Sequence, residues 1–166
     1  LVDAGLGCPD WPGCYGHLTW PTSAEEVQKA NQAYPDMPVL ADKTWPEMVH
    51  RYFASSLGLL MIGIVLACWR KRHEGAPLKL AIFSLGFVIL QGMFGMWTVT
   101  LKLWPQVVTT HLLGGFTTFS LLVLLTLRSS NWGEQIKTSM QNVSVTVKRL
   151  SVLALLVLII QIFLGG

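Results

Sequence analysis

The sequence predicts an all-α fold, a bundle of helices that crosses a membrane several times. Three observations predict it. Hydrophobic residues make up 52% of the chain and charged residues 13%, whereas a soluble domain carries about 25% charge. The apolar residues are gathered into stretches of crossing length, about 20 residues each. The basic residues cluster at the ends of those stretches, so the formal charge of +3 reads as membrane topology, with lipid as the surrounding partner and no nucleic acid.

Taken in order, residues 1–46 are polar, acidic and rich in Pro, Trp and Gly, which predicts a loop outside the membrane. Within it Thr22 or Ser23 can cap a short amphipathic helix whose first turn holds Glu25 and Glu26. The first span is predicted at about 47–69, opening at Pro46 or Glu47, where proline is tolerated in a first turn, and closing at Arg70-Lys71-Arg72. A second span at about 77–99 is followed by a tight connection, Lys102 to Pro105. The third, at about 105–127, ends at Arg128. A polar linker reaches Lys148-Arg149 and a fourth apolar run, 150–166, that has no polar flank. That run, and an opening Leu1 with no signal peptide before it, predict truncation at both ends.

Arg70, Lys71, Arg72, Lys79, Arg128, Lys137, Lys148 and Arg149 fall on one side and leave only Lys29, Lys43 and Lys102 in loops opposite. The basic side is the cytoplasmic one. Residues 1–46 then face the periplasm of a bacterial inner membrane. Gln91-x-x-x-Gly95 in the second span recurs as Gln161-x-x-x-Gly165 in the fourth, in the same orientation, which suggests a parallel repeat; chance similarity between apolar helices is the alternative.

Ionisable groups are costly in a membrane, so Glu47, His50, Arg51 and His111 are the first candidates for function. His50 lies one turn below Glu47 on the same helix face. At about 1.5 Å per residue, His50 and His111 sit roughly 6 and 9 Å below their helix starts, nearly the same depth. Two imidazoles so placed suit the two faces of a heme iron. Gly114 and Gly115 beside His111, and Ala54 and Gly58 beside His50, clear side chains where a porphyrin would lie, although small residues also serve plain helix packing. Arg51 has two readings: a partner for a heme propionate, or a side chain reaching lipid phosphate.

Cys8 and Cys14 flank the turn-forming Pro9-Asp10-Trp11-Pro12-Gly13, and an oxidising periplasm favours a disulfide, either a loop staple or a redox-active pair. Their spacing does not suit covalent heme attachment. Cys68 is expected to pack, and His17 and His73 to be solvated. Gln91, Thr109, Thr110, Thr117 and Thr118 are expected to satisfy one another between helices. Trp20, Trp45, Trp69, Trp97 and Trp104 suit interfacial anchoring, with loop packing an alternative for Trp20.

Gly7-Cys8-Pro9-Asp10-Trp11-Pro12-Gly13-Cys14-Tyr15-Gly16, Glu47-Met48-Val49-His50-Arg51, the segment from Gln91 to Thr100 and His111-Leu112-Leu113-Gly114-Gly115 together resemble the heme A synthase family of cytochrome oxidase assembly factors, over nearly the whole chain. The resemblance implies an eight-helix protein of two similar four-helix halves, of which this chain is the N-terminal half. It implies oxidation of the C8 methyl of heme O to the formyl group of heme A. His50 and His111 would hold heme O, Glu47 would be the acid/base or electrostatic group, and Cys8 and Cys14 the outer-loop disulfide. Heme b is expected in the other half. Hydroxylating a methyl twice and losing water gives the aldehyde, and proton removal calls for a carboxylate, of which Glu47 is the one within the predicted spans. The implied partners are a heme O synthase and the cytochrome oxidase assembly machinery, with a homo-oligomer left open. Alone, such a half is expected to be inactive. Two other readings are a bis-histidine b-type cytochrome acting only in electron transfer, and a transporter or packing subunit without heme.

Overall fold

The computed structural model describes residues 6–130, 133, 135, 136, 138 and 144–165; Leu1, Lys137 and Gly166 lie outside them. The described residues contain no β-strand and form helices α1 (Ala24–Ala33), α2 (Ala41–Arg70), α3 (Leu78–Thr100), α4 (Pro105–Ser129) and α5 (Val145–Gly165), with a 3-10 turn at Arg72–Glu74. Four of these, α2 to α5, are long and apolar enough to cross a membrane.

The loop before α2 is an ordered cap with its own core. Cys8, Cys14, Tyr15 and Ala30 are buried together on Met48 of α2, with Trp20, Tyr34 and Val39 packed around them. Trp20 therefore packs in the loop, while Trp45, Trp69 and Trp104 stand about half exposed near the helix ends. Helix α1 starts with a capping box: Glu26 N–H donates to Ser23 Oγ at 3.2 Å and Ser23 N–H to Glu26 Oε2 at 3.1 Å.

Helix α2 starts at Ala41, ahead of Pro46, which falls inside it. Thr44 fastens this extra turn, its hydroxyl bonding the carbonyls of Leu40 at 2.8 Å and Gly7 at 3.0 Å. Only one helical hydrogen bond is lost to a proline so near an end. Helix α5 likewise starts at Val145, so Lys148 and Arg149 lie on the helix rather than before it. There Val147 N–H donates to the Ser144 hydroxyl at 3.3 Å.

Helix α3 packs against both α2 and α4, which make no comparable contact with each other among the described residues. Met61 and Cys68 of α2, Ala81 of α3 and Leu125 of α4 form the buried cluster towards the basic end. The turn between α3 and α4 is tight enough to hold Lys102 and Leu103 at φ of 50° and 59°, left-handed values that cost a non-glycine residue about 1–2 kcal/mol. The threonines differ from expectation: Thr110, Thr117 and Thr118 donate to the carbonyls of Gln106, Leu113 and Gly114 in their own helix. The carbonyl four residues back lies nearer to a threonine hydroxyl than any neighbouring helix does.

Candidate functional site

Because α3 holds α2 and α4 apart, the space between the outer halves of α2 and α4 is bridged by two rings. The His50 and His111 centroids are 6.5 Å apart and the planes are inclined at 81°. Two metal–nitrogen bonds of about 2.0 Å, with each ring centre about 1.1 Å behind its nitrogen, would set imidazole centroids about 6.2 Å apart. The observed centroid separation is close to that spacing. Among the described residues no three His, Cys, Asp or Glu side chains gather to hold a bare ion. Two histidines alone suit a metal that brings its in-plane ligands with it, as heme does. Cβ atoms added at Gly58 on α2 or Gly115 on α4 would meet nothing within 4 Å, so open space adjoins both histidine helices.

Gly114 sits differently. A Cβ there would collide with the side-chain amide of Gln91, so this glycine admits a polar group from α3 into the α3–α4 seam. One turn outward, a Cβ at Gly95 would lie 3.4 Å from Cε1 and 3.7 Å from Nε2 of His111. Gly95 is thus the surface on which the His111 ring rests. Neither Gln91 nor Gly95 was singled out from the sequence as a neighbour of the histidines, although the Gln-x-x-x-Gly echo had marked both. Spacing along α3 does not reveal which residue of α4 each one meets.

Glu47 and Arg51 face the cap. The Glu47 carboxylate accepts from the backbone N–H groups of Gly7 at 2.8 Å and Cys8 at 3.2 Å, and is ion-paired with Arg51. Arg51 donates in turn to the carbonyls of Asp10 at 3.0 Å, Pro12 at 3.3 Å and Gly13 at 2.6 Å. With side chains 13% and 22% exposed, Arg51 and Glu47 clamp the cap to the helix turn that carries His50. Asp10 completes the loop by accepting from the N–H groups of Tyr15 and Gly16 at 2.6 and 2.8 Å, a role its sequence position alone did not disclose. Cys8 and Cys14 are disulfide-bonded and fully buried. Burial, helped by the charges of Asp10 and Glu47, raises the Tyr15 hydroxyl above its ordinary range. Cys68 is buried and free.

A shallow groove along Ser56, Leu60, Gly63 and Ala67 lies on α2 alone, well inward of the histidines, and offers almost no polar surface. It adds nothing to the chemistry of the His50–His111 gap.

Comparison with known proteins bears on this arrangement. The heme A synthase of Shewanella oneidensis (strain ATCC 700550 / JCM 31522 / CIP 106686 / LMG 19005 / NCIMB 14063 / MR-1) is 48% identical over 167 residues, covering 100% of this chain and 49% of that protein. The chain thus spans about half the length of that relative. A protoheme IX farnesyltransferase of Roseiflexus sp. (strain RS-1) is 31% identical over 71 residues, 42% of this chain and 13% of that protein. No solved structure matches the chain. Four membrane-length helices together with this relationship make the protein a multi-pass membrane protein. The family model COX15-CtaA, cytochrome oxidase assembly protein, matches residues 1–166, and the chain accordingly belongs to the COX15-CtaA family of cytochrome oxidase assembly proteins.

Proposed function

We propose that the protein is a heme A synthase, oxidising a methyl group of heme O to a formyl group, with His50 and His111 holding the substrate iron. The observation that carries this reading is the 6.5 Å separation of two imidazoles across a gap between α2 and α4. The match to a heme A synthase supports the substrate class. Bound between the rings, the heme would supply the iron and the methyl group to be oxidised; the chain orients it through the two imidazoles. Glu47, one turn from His50, is the proposed proton acceptor, held in position by two backbone amides and Arg51. The same reading places residues 1–46 in the periplasm of a bacterial inner membrane, takes heme O from its synthase, delivers heme A to cytochrome oxidase assembly, and expects heme b in the remainder of the full-length protein.

The test is pigment extraction from the native full-length protein made in cells that supply heme O. Formyl-bearing heme is expected from the unaltered protein, and its loss in His50→Ala and His111→Ala. Glu47→Gln, which keeps the shape of the carboxylate, is expected to retain heme and lose conversion. Heme binding with no heme O converted by the unaltered protein would instead make it an electron carrier.

A further inference from the structure

We infer that Gln91 is a positioning residue for His111, its side-chain carbonyl accepting the Nδ1–H of the imidazole and so turning Nε2 towards the metal; this rests on the reading of His111 as a heme ligand. Three buried side-chain polar atoms among the described residues have no hydrogen-bond partner: Ser84 Oγ, Gln91 Oε1 and His111 Nδ1. Ser84 lies two turns further towards the basic end of α3. The other two belong to one stretch of the α3–α4 seam. Gly95 of α3 lies against the His111 ring, and one turn inward the Gln91 amide lies against Gly114 of α4. The two helices run in opposite directions, so i−4 on α3 matches i+3 on α4. The Gln91 amide is therefore about one helical turn, roughly 5 Å, from the level of the imidazole, a gap that a change of side-chain torsion spans.

The chemistry of the two atoms is complementary. Gln91 is 9% exposed, and its Oε1 is an acceptor without a donor. A neutral imidazole that binds metal through Nε2 carries its proton on Nδ1 and needs an acceptor there. Leaving either atom unpaired in an apolar seam costs about 1–3 kcal/mol. The contact that satisfies both fixes the tautomer and raises the basicity of the ligand. Gly114 gains a purpose on this reading, since any side chain at that position would expel the amide that serves His111.

The experiment uses the full-length heme-loaded protein and follows the heme signal that His111→Ala removes, by potentiometric titration, electron paramagnetic resonance and heme retention during dilution. Gln91→Met fills the same seam without a strong acceptor. It is expected to raise the midpoint potential, shift the resonance g-values and weaken heme retention about 10-fold or more. Gln91→Glu, which restores an acceptor of the same length, is expected to recover retention. Should Gln91→Met fail to accumulate, Gly114→Ala displaces the amide without deleting it and is expected to raise the potential as well. Wild-type potential, g-values and retention in Gln91→Met, or in Gly114→Ala where that variant stands in, would overturn the inference. If His111→Ala itself leaves every heme signal intact, it is the ligand assignment that fails.

Discussion

At the residue scale the most informative side chain is Arg51, because its guanidinium is shared between one carboxylate and three loop carbonyls. A lysine has no planar fork and cannot span those acceptors at once. Arg51→Lys is therefore expected to loosen residues 10–13 and to lower stability by roughly 1.5–3 kcal/mol, read as a lower melting temperature and faster hydrogen exchange at Cys14, whose N–H donates to the His17 carbonyl. Gly114→Ala acts by volume instead. The new methyl collides with the Gln91 amide, and overpacking of this kind costs about 1–3 kcal/mol, which thermal unfolding measures independently of any heme signal.

At the element scale, α1 depends on one exposed carboxylate. Glu26 accepts from the backbone N–H groups of Thr22 and Ser23, which lower its pKa from 4.5 to about 2. A carboxyl depressed on folding contributes stability above its unfolded pKa and loses it as pH falls through the folded value. Helix α1 is thus expected to hold at pH 5 and to fray progressively between about 4.5 and 2, seen as loss of amide protection over Glu25–Ala33. Glu26→Gln, which keeps an acceptor but cannot titrate, is expected to lack that acid limb. The cap's second support is the disulfide, which closes a loop with a sequence separation of 6. The chain-entropy relation assigns so short a loop about 2 kcal/mol. Cys8→Ser with Cys14→Ser is expected to destabilise the cap by about that amount, with Trp20 fluorescence as the reporter.

At the scale of the whole molecule, α3 is the spacer that separates α2 from α4, and the cap is clamped to the turn of α2 that carries His50. None of the most apolar stretch of α5 is buried against the other described helices. The topology itself is testable: single cysteines replacing Leu18 or Lys102 are expected to react with an impermeant thiol reagent from one side of the membrane, and one replacing Lys71 only from the other. Labelling of all three from the same side would refute the orientation.

Hydropathy and charge placement, which are local and additive, determined the number and order of the membrane-length helices, and rise per residue determined that His50 and His111 share a depth. The turn residues between Cys8 and Cys14 made their pairing legible, and Thr22 or Ser23 followed by Glu25 and Glu26 marked the start of α1, with the structure selecting Ser23 as the cap. Tertiary structure alone decided which way each helix is turned about its axis. That rotation carries Glu47 and Arg51 onto the cap, sets Gly114 against Gln91 and Gly95 against His111, and leaves α2 and α4 apart. The reason is physical: spacing along a helix sets height and relative angle within that helix, whereas the face shown to a neighbour follows from the packing of every side chain in the seam at once.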